Sequence, residues 1–97
     1  MDVDFNDKKL ALVETDRASE TKLSVALIES LRDKVHYLRQ AADERSLRNW
    51  KSLHYEKLEG RGGERSIRIN KQWRLIFTLD CESTPQRITI LGVEDYH

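Results

Sequence analysis

The stretch Arg65-Ser66-Ile67-Arg68-Ile69-Asn70-Lys71-Gln72-Trp73-Arg74-Leu75-Ile76-Phe77-Thr78-Leu79 decides the fold class, because its apolar residues recur at every second position. Ile67 and Ile69 alternate with Ser66, Arg68 and Asn70, while Trp73, Leu75, Phe77 and Leu79 alternate with Arg74, Ile76 and Thr78. A period of two places successive side chains on opposite faces of a strand. Asn70, Lys71 and Gln72 make a hairpin-sized connection between the two runs. Upstream, Gly60, Gly62 and Gly63 cluster in a turn, and downstream Asp80, Ser83, Thr84 and Pro85 mark another over residues 80–86. A last strand is predicted from Arg87 to Val93, with Ile88 and Ile90 on one face.

Towards the N-terminus the period changes. Leu23, Leu27, Ile28, Leu31, Val35, Leu38 and Ala42 share one side of a helical wheel, the strongest helix signal in the chain. Residues 43–50 either continue this helix or form a short third one, with Asp43 as N-cap and Leu47 and Trp50 three apart. At the start, Val3 and Phe5 alternate with Asp2 and Asp4, which suggests a short edge strand. Asn6 is the expected cap of a first short helix carrying Leu10, Leu12 and Val13, and residues 15–21 read as a polar connector. Helices followed by an antiparallel sheet imply an α+β fold, with an N-terminal strand and two to three helices packed on one face of a small, mainly antiparallel sheet. The single domain is expected to span residues 1–97.

The chain has 97 residues and 11.4 kDa, too few for a multi-domain enzyme. Its 38% hydrophobic residues are spread along the whole length, which favours a folded domain despite 35% charged residues. The uncharged runs are too short to span a bilayer, and Asp2 and Asp4 stand where a signal peptide carries basic residues. The expectation is a cytoplasmic protein without membrane association. A single cysteine, Cys81, excludes an internal disulfide and a cysteine-based zinc cluster. The net charge of zero hides an asymmetry: residues 1–43 carry −2, residues 44–78 carry +5, and residues 79–97 carry −3. A basic segment binds polyanions through local Lys and Arg density whatever the total charge. From charge alone, a phosphate-binding surface and a merely solvated strand-and-loop surface both remain open.

The glycines at 60–63 lie between strand-like segments and do not open a helix, so they form no phosphate-binding loop. His36, His54 and His97 lack metal-ligand spacing, and Asp80 and Glu82 flank Cys81 with charges that disfavour a thiolate. A constellation remains on the sheet half. Arg65, Arg68 and Arg74 fall on consecutive strands, His54, Lys57 and Arg61 precede them, and Tyr96 and His97 follow the last strand. Guanidinium groups fit phosphates bidentately, and histidine, tyrosine and lysine move protons. The competing reading pairs Arg68 and Arg74 with Glu and Asp across strands.

The segments Ser52-Leu53-His54-Tyr55-Glu56-Lys57-Leu58, Arg65-Ser66-Ile67-Arg68-Ile69-Asn70, Gln72-Trp73-Arg74-Leu75-Ile76-Phe77 and Glu94-Asp95-Tyr96-His97 resemble, in order and spacing, the HigB toxins of the RelE/ParE superfamily. That resemblance implies a RelE-like toxin of a type II toxin–antitoxin pair, a metal-independent endoribonuclease that cleaves mRNA in the ribosomal A site and needs no cofactor. In that chemistry the ribose 2′-hydroxyl attacks the adjacent phosphorus, so the site assists deprotonation, neutralises the phosphorane and protonates the leaving 5′-oxygen. By the same resemblance His54, Arg74, Asp95, Tyr96 and His97 are catalytic, with Arg74 at the scissile phosphate, and Lys57, Arg61, Arg65 and Arg68 bind RNA. Leu58 and Glu59 separate Lys57 from Gly60, a departure from the many relatives in which glycine directly follows the lysine. The implied partners are a HigA-like helix-turn-helix antitoxin, the ribosome and mRNA, with operator DNA bound only through the antitoxin complex. Zero net charge is unusual for a protein that docks on ribosomal RNA, and the superfamily also contains ParE-like gyrase inhibitors. A gyrase inhibitor and a catalytically decayed antitoxin-binding protein are therefore the alternatives.

Overall fold

The computed structural model describes residues 1–95; Tyr96 and His97 lie outside the described residues. Five strands, β1 (Asp2–Phe5), β2 (Glu56–Lys57), β3 (Arg65–Arg68), β4 (Trp73–Asp80) and β5 (Arg87–Asp95), form one sheet in the order β1-β5-β4-β3-β2. The β1–β5 pairing is parallel and the others are antiparallel. The principal helix, α1 (Val25–Gln40), begins at Ser24, whose hydroxyl accepts a hydrogen bond from the Leu27 amide at 3.1 Å and so satisfies one of the orphan donors of the first turn. A shorter helix, α2 (Glu44–Asn49), is capped by Asp43, as expected.

One face of the sheet is covered. Leu27, Leu31, Val35 and Leu38 of α1 and Leu47 of α2 are buried with Ile67, Leu75, Phe77, Ile88 and Ile90 of the strands. Arg32 ties the preceding segment to α1 by donating to the carbonyls of Val13 and Thr15 at 2.5 and 2.9 Å. The Tyr37 hydroxyl donates to the Ser46 carbonyl at 2.9 Å and holds α2 against α1.

Three sequence expectations change. Asn6 does not cap the first short helix, a 3₁₀ segment over Leu10–Glu14: Lys9 holds the N-cap position without a side-chain cap, and the turn before it is closed by the Asp7 carboxylate, which accepts from the amides of Lys9 and Leu10 at 2.9 and 3.3 Å. The polar connector contains a 3₁₀ turn, Ala18–Thr21, which buries Ala18. Strand β2 escapes an apolar-alternation reading because both of its residues are exposed. It is recruited by backbone pairing to β3, with Glu56 opposite Ser66 and Lys57 opposite Arg65.

The register between β4 and β5 shifts between Ile76 and Phe77, where Ile76 faces Gly92 and Phe77 faces Ile90, leaving Leu91 as the extra residue of a bulge. Ile76 points away from the helices yet is only 2% exposed. The uncovered face therefore carries polar groups packed around a buried isoleucine. No helix among the described residues is long and apolar enough to cross a membrane.

Candidate active site

Residues directly opposite across an antiparallel ladder share a face. The registers thus set two rows on the uncovered face. Glu56, Ser66, Ile76 and Gly92 form one, and Arg68, Arg74 and Glu94 form the next. Arg61 joins them from outside the sheet. It sits in the turn between β2 and β3, closed by the Leu58 amide donating to the Glu64 carbonyl at 2.9 Å. Gly60, Gly62 and Gly63 all adopt positive φ (69°, 62° and 86°), a region that side-chain-bearing residues enter only at a cost.

Glu94 is the hub. Arg61 grips both of its carboxylate oxygens, at 2.9 and 2.5 Å, while also donating to Glu64 at 3.0 Å. Arg74 approaches the same carboxylate at 3.4 Å from directly across the ladder. The hydrogen bonds from Arg61, with its charge and that of Arg74, hold the Glu94 carboxyl below the usual carboxylate range despite partial desolvation. Arg74 has a second carboxylate, Glu56, at 3.8 Å. The Arg74 side chain is 20% exposed and that of Glu56 53% exposed, so a sequestered guanidinium stands beside a solvent-accessible carboxylate. Arg68, opposite Arg74 on β3, uses its Nε to donate to the Asn70 carbonyl at 3.0 Å. In the row beside them the Ser66 hydroxyl is fully buried without a hydrogen-bond partner.

The structure gathers Arg61, Arg68 and Arg74 on one face and places Arg65 and Lys57 on the other. Arg65, in register with Phe77, donates to the Glu44 carboxylate and the Tyr55 hydroxyl at 2.7 Å each. The Tyr55 hydroxyl in turn donates to Glu44 at 2.7 Å. Burial and the bond to Glu44 push the Tyr55 phenol up to about 12, and the hydrogen bond from Tyr55 leads the influences that hold Glu44 low. This triad fastens α2 to the sheet. Lys57 shares the Arg65 row. His54 is exposed at a left-handed φ of 50°, two residues before Glu56. Asp95 lies opposite Trp73 at the end of β5 and accepts from Gln72 at 3.1 Å. The predicted Tyr96 and His97 fall outside the described residues.

Sequence reasoning overlooked Glu56, Glu64 and Glu94 as members of the cluster. A signal for Glu94 is its spacing of two from Gly92 and its alternation with Val93 and Asp95 on β5, which puts it in the Arg74 row once the hairpin register is known. Glu56 carries no such signal, because nothing in its sequence context distinguishes its face from that of Lys57.

Residues 3–88 match the family model of HigB-like toxins, described as RelE-like toxins of the type II toxin–antitoxin system HigB. The chain belongs to the HigB-like toxin family. Two solved structures share the fold of this HigB-like chain. A YoeB/ParE toxin from Agrobacterium tumefaciens superposes with a TM-score of 0.59 at 15% identity, covering 100% of both chains. A YoeB dimer from Staphylococcus aureus gives a TM-score of 0.55 at 20% identity, covering 100% of this chain and 97% of that one. No curated protein sequence matches the chain. The HigB-like family is one of toxin–antitoxin systems, which implies an antitoxin partner. The matched residues contain His54, Lys57, Arg61, Arg65, Arg68 and Arg74, and the C-terminal Asp95-Tyr96-His97 group lies beyond them.

Proposed function

We propose that this HigB-like toxin is a ribosome-dependent mRNA endoribonuclease, held inactive by a HigA-like helix-turn-helix antitoxin through which the complex binds operator DNA. The observation that carries the reading is the Arg74 guanidinium, sequestered on the uncovered face 3.8 Å from the exposed Glu56 carboxylate. Strand transfer within RNA needs such a pair: a base that takes the 2′-hydroxyl proton and a cation facing the charge that grows on the phosphorane. The 2′-oxygen bonds to phosphorus, the bond to the 5′-oxygen breaks, and the departing oxygen takes up a proton. The products carry a 2′,3′-cyclic phosphate and a 5′-hydroxyl. In this scheme Arg74 faces the scissile phosphate, Arg68 and Arg61 flank it, and Glu56 joins His54, Tyr96 and His97 as the candidate proton-transfer groups. Lys57, Arg65 and Asp95 serve at the periphery, Arg65 by holding α2 in place.

The test is cleavage of mRNA on programmed ribosomes by the wild-type chain, Arg74→Ala and His97→Ala, with naked mRNA as control. Cleavage confined to ribosomes, with a loss on the order of 10²- to 10³-fold in the folded Arg74→Ala variant, supports the assignment. Intact A-site mRNA with the folded wild type overturns it. DNA breaks in the presence of gyrase then favour the ParE-like alternative, and their absence favours a role confined to antitoxin binding.

A further inference from the structure

A second basic cluster lies outside the Arg74 row. Lys34 of α1, Trp50 and Ser52 from the segment after α2, and Arg68 and Lys71 at the β3–β4 hairpin line a cavity of about 320 Å³. It forms because β2 pairs only with Arg65 and Ser66, so the rest of the β3 edge is flanked by the 3₁₀ turn Lys51–Leu53 and not by a strand.

Two properties separate this cavity from the candidate active site. First, Lys34, Arg68 and Lys71 have no carboxylate partner among the described residues, whereas Arg61, Arg65 and Arg74 are all ion-paired. Uncompensated cations around a concavity attract a polyanion, and paired ones have already spent much of that attraction. Second, Trp50 is 40% exposed, one of two large hydrophobic residues so exposed among the described residues. Tyr37 holds its ring in an edge-on contact with centroids 4.6 Å apart, which fixes the indole without covering it. The Lys34 ammonium sits 5.5 Å from the Trp50 ring centroid. It rides on a flexible stem, so the same charge turns to a phosphate oxygen when a base takes its place on the ring.

We propose that this cavity is a nucleotide subsite for single-stranded RNA, with a base stacked on Trp50 and the adjoining phosphate held by Lys34, Arg68 and Lys71. The ligand class rests on the RNA-directed reading given above; apart from Arg68, which borders both places, the site's residues are distinct from the groups that would break the chain. An aromatic platform ringed by cations is the arrangement that binds single strands without reading their sequence. Arg68 belongs to both places: it lines the cavity and stands in register with Arg74. A strand whose scissile phosphate rests at Arg74 therefore has its neighbouring nucleotides directed to the end of the β3–β4 hairpin.

The test is fluorescence anisotropy of a labelled 2′-O-methyl octaribonucleotide, which cannot be cleaved, against an abasic sugar–phosphate oligomer of equal length. Trp50→Ala is expected to weaken the base-bearing oligomer on the order of tenfold and leave the abasic one unchanged. Trp50→Phe, which keeps a ring, is expected to retain most of the affinity, and Lys71→Glu, at an exposed position, is expected to weaken both oligomers. If Trp50→Ala does not fold, Trp50→Phe and Lys71→Glu decide. Wild-type affinity in Lys71→Glu, or equal binding of the two oligomers by the wild type, overturns the subsite. Weakened oligomer binding by Trp50→Ala and Lys71→Glu, while the wild type leaves mRNA on programmed ribosomes intact, upholds the subsite and removes only the nuclease reading.

Discussion

Arg74 and Glu94 stand directly opposite each other on β4 and β5, and the carboxylate that meets Arg74 is the one that Arg61 grips with both terminal nitrogens. One acidic side chain thus restrains two guanidinium groups on the face proposed to bind RNA. Substituting Glu94→Gln removes that restraint. The variant is expected to bind a single-stranded oligoribonucleotide more tightly, with a salt dependence steeper by roughly 0.7 in log–log slope for each additional phosphate contact. Titrations across a range of salt concentrations measure the slope, and an unchanged one shows that neither arginine is held back by Glu94.

Glu56 is the accessible carboxylate beside Arg74. Glu56→Gln preserves its size and removes its basicity. Cleavage on programmed ribosomes is expected to fall about 10²- to 10⁴-fold in kcat with KM little altered, the pattern of a lost general base. A rise in KM alone would assign Glu56 to positioning Arg74.

Ser66 buries its hydroxyl with no partner, between Glu56 and Ile76 in its row. An unsatisfied buried hydroxyl is a cost that alanine removes at nearly the same volume. Ser66→Ala is expected to raise the unfolding free energy by about 1 kcal/mol in urea denaturation. A loss of stability of that size would mean that the hydroxyl has a partner in solution.

The Glu44–Tyr55–Arg65 triad makes stability depend on pH at both ends. The Glu44 carboxyl is lowered, so its contribution is present above the ordinary glutamate value of about 4.3 and is lost as the pH falls through the folded-state value. The Tyr55 phenol is raised to about 12, so its contribution is present below the ordinary tyrosine value of about 10 and fades as the pH rises towards 12. Phenolate absorbance followed against pH is expected to show a late component from Tyr55, and Glu44→Gln is expected to bring that transition earlier. The absence of a late component would show that the triad is open in solution.

Local periodicity made α1, β3, β4 and β5 legible: α1 buries five apolar residues at helical spacing, β4 carries four at alternate positions, and β3 and β5 show shorter alternations. The helix–sheet layering follows from that list. What the sequence did not disclose is long-range. Lys57 and Glu56 are adjacent and both charged, and only the β2–β3 register sends the first to the Arg65 row and the second towards Arg74. Arg65 and Arg68 look alike in the basic strand, yet one anchors a helix and the other borders a cavity. The ion-pairing reading of the arginines holds in part: Arg74 is paired with Glu94 across strands, whereas Arg68 has no carboxylate partner among the described residues.

Strand order also governs when the toxin face comes into being. β1 precedes every other described element along the chain, yet among the described residues its neighbour in the sheet is β5, with Asp2 beside Arg87. β4 likewise waits for β5 to supply Glu94 opposite Arg74. Contacts so distant along the chain form late, after the loop entropy of closing them has been overcome. A nascent chain that has not passed residue 94 has neither a closed sheet nor the Arg74 row. The face that carries Arg74 is therefore the last part of the sheet to be completed, and any partner that recognises it meets its target only once β5 has docked.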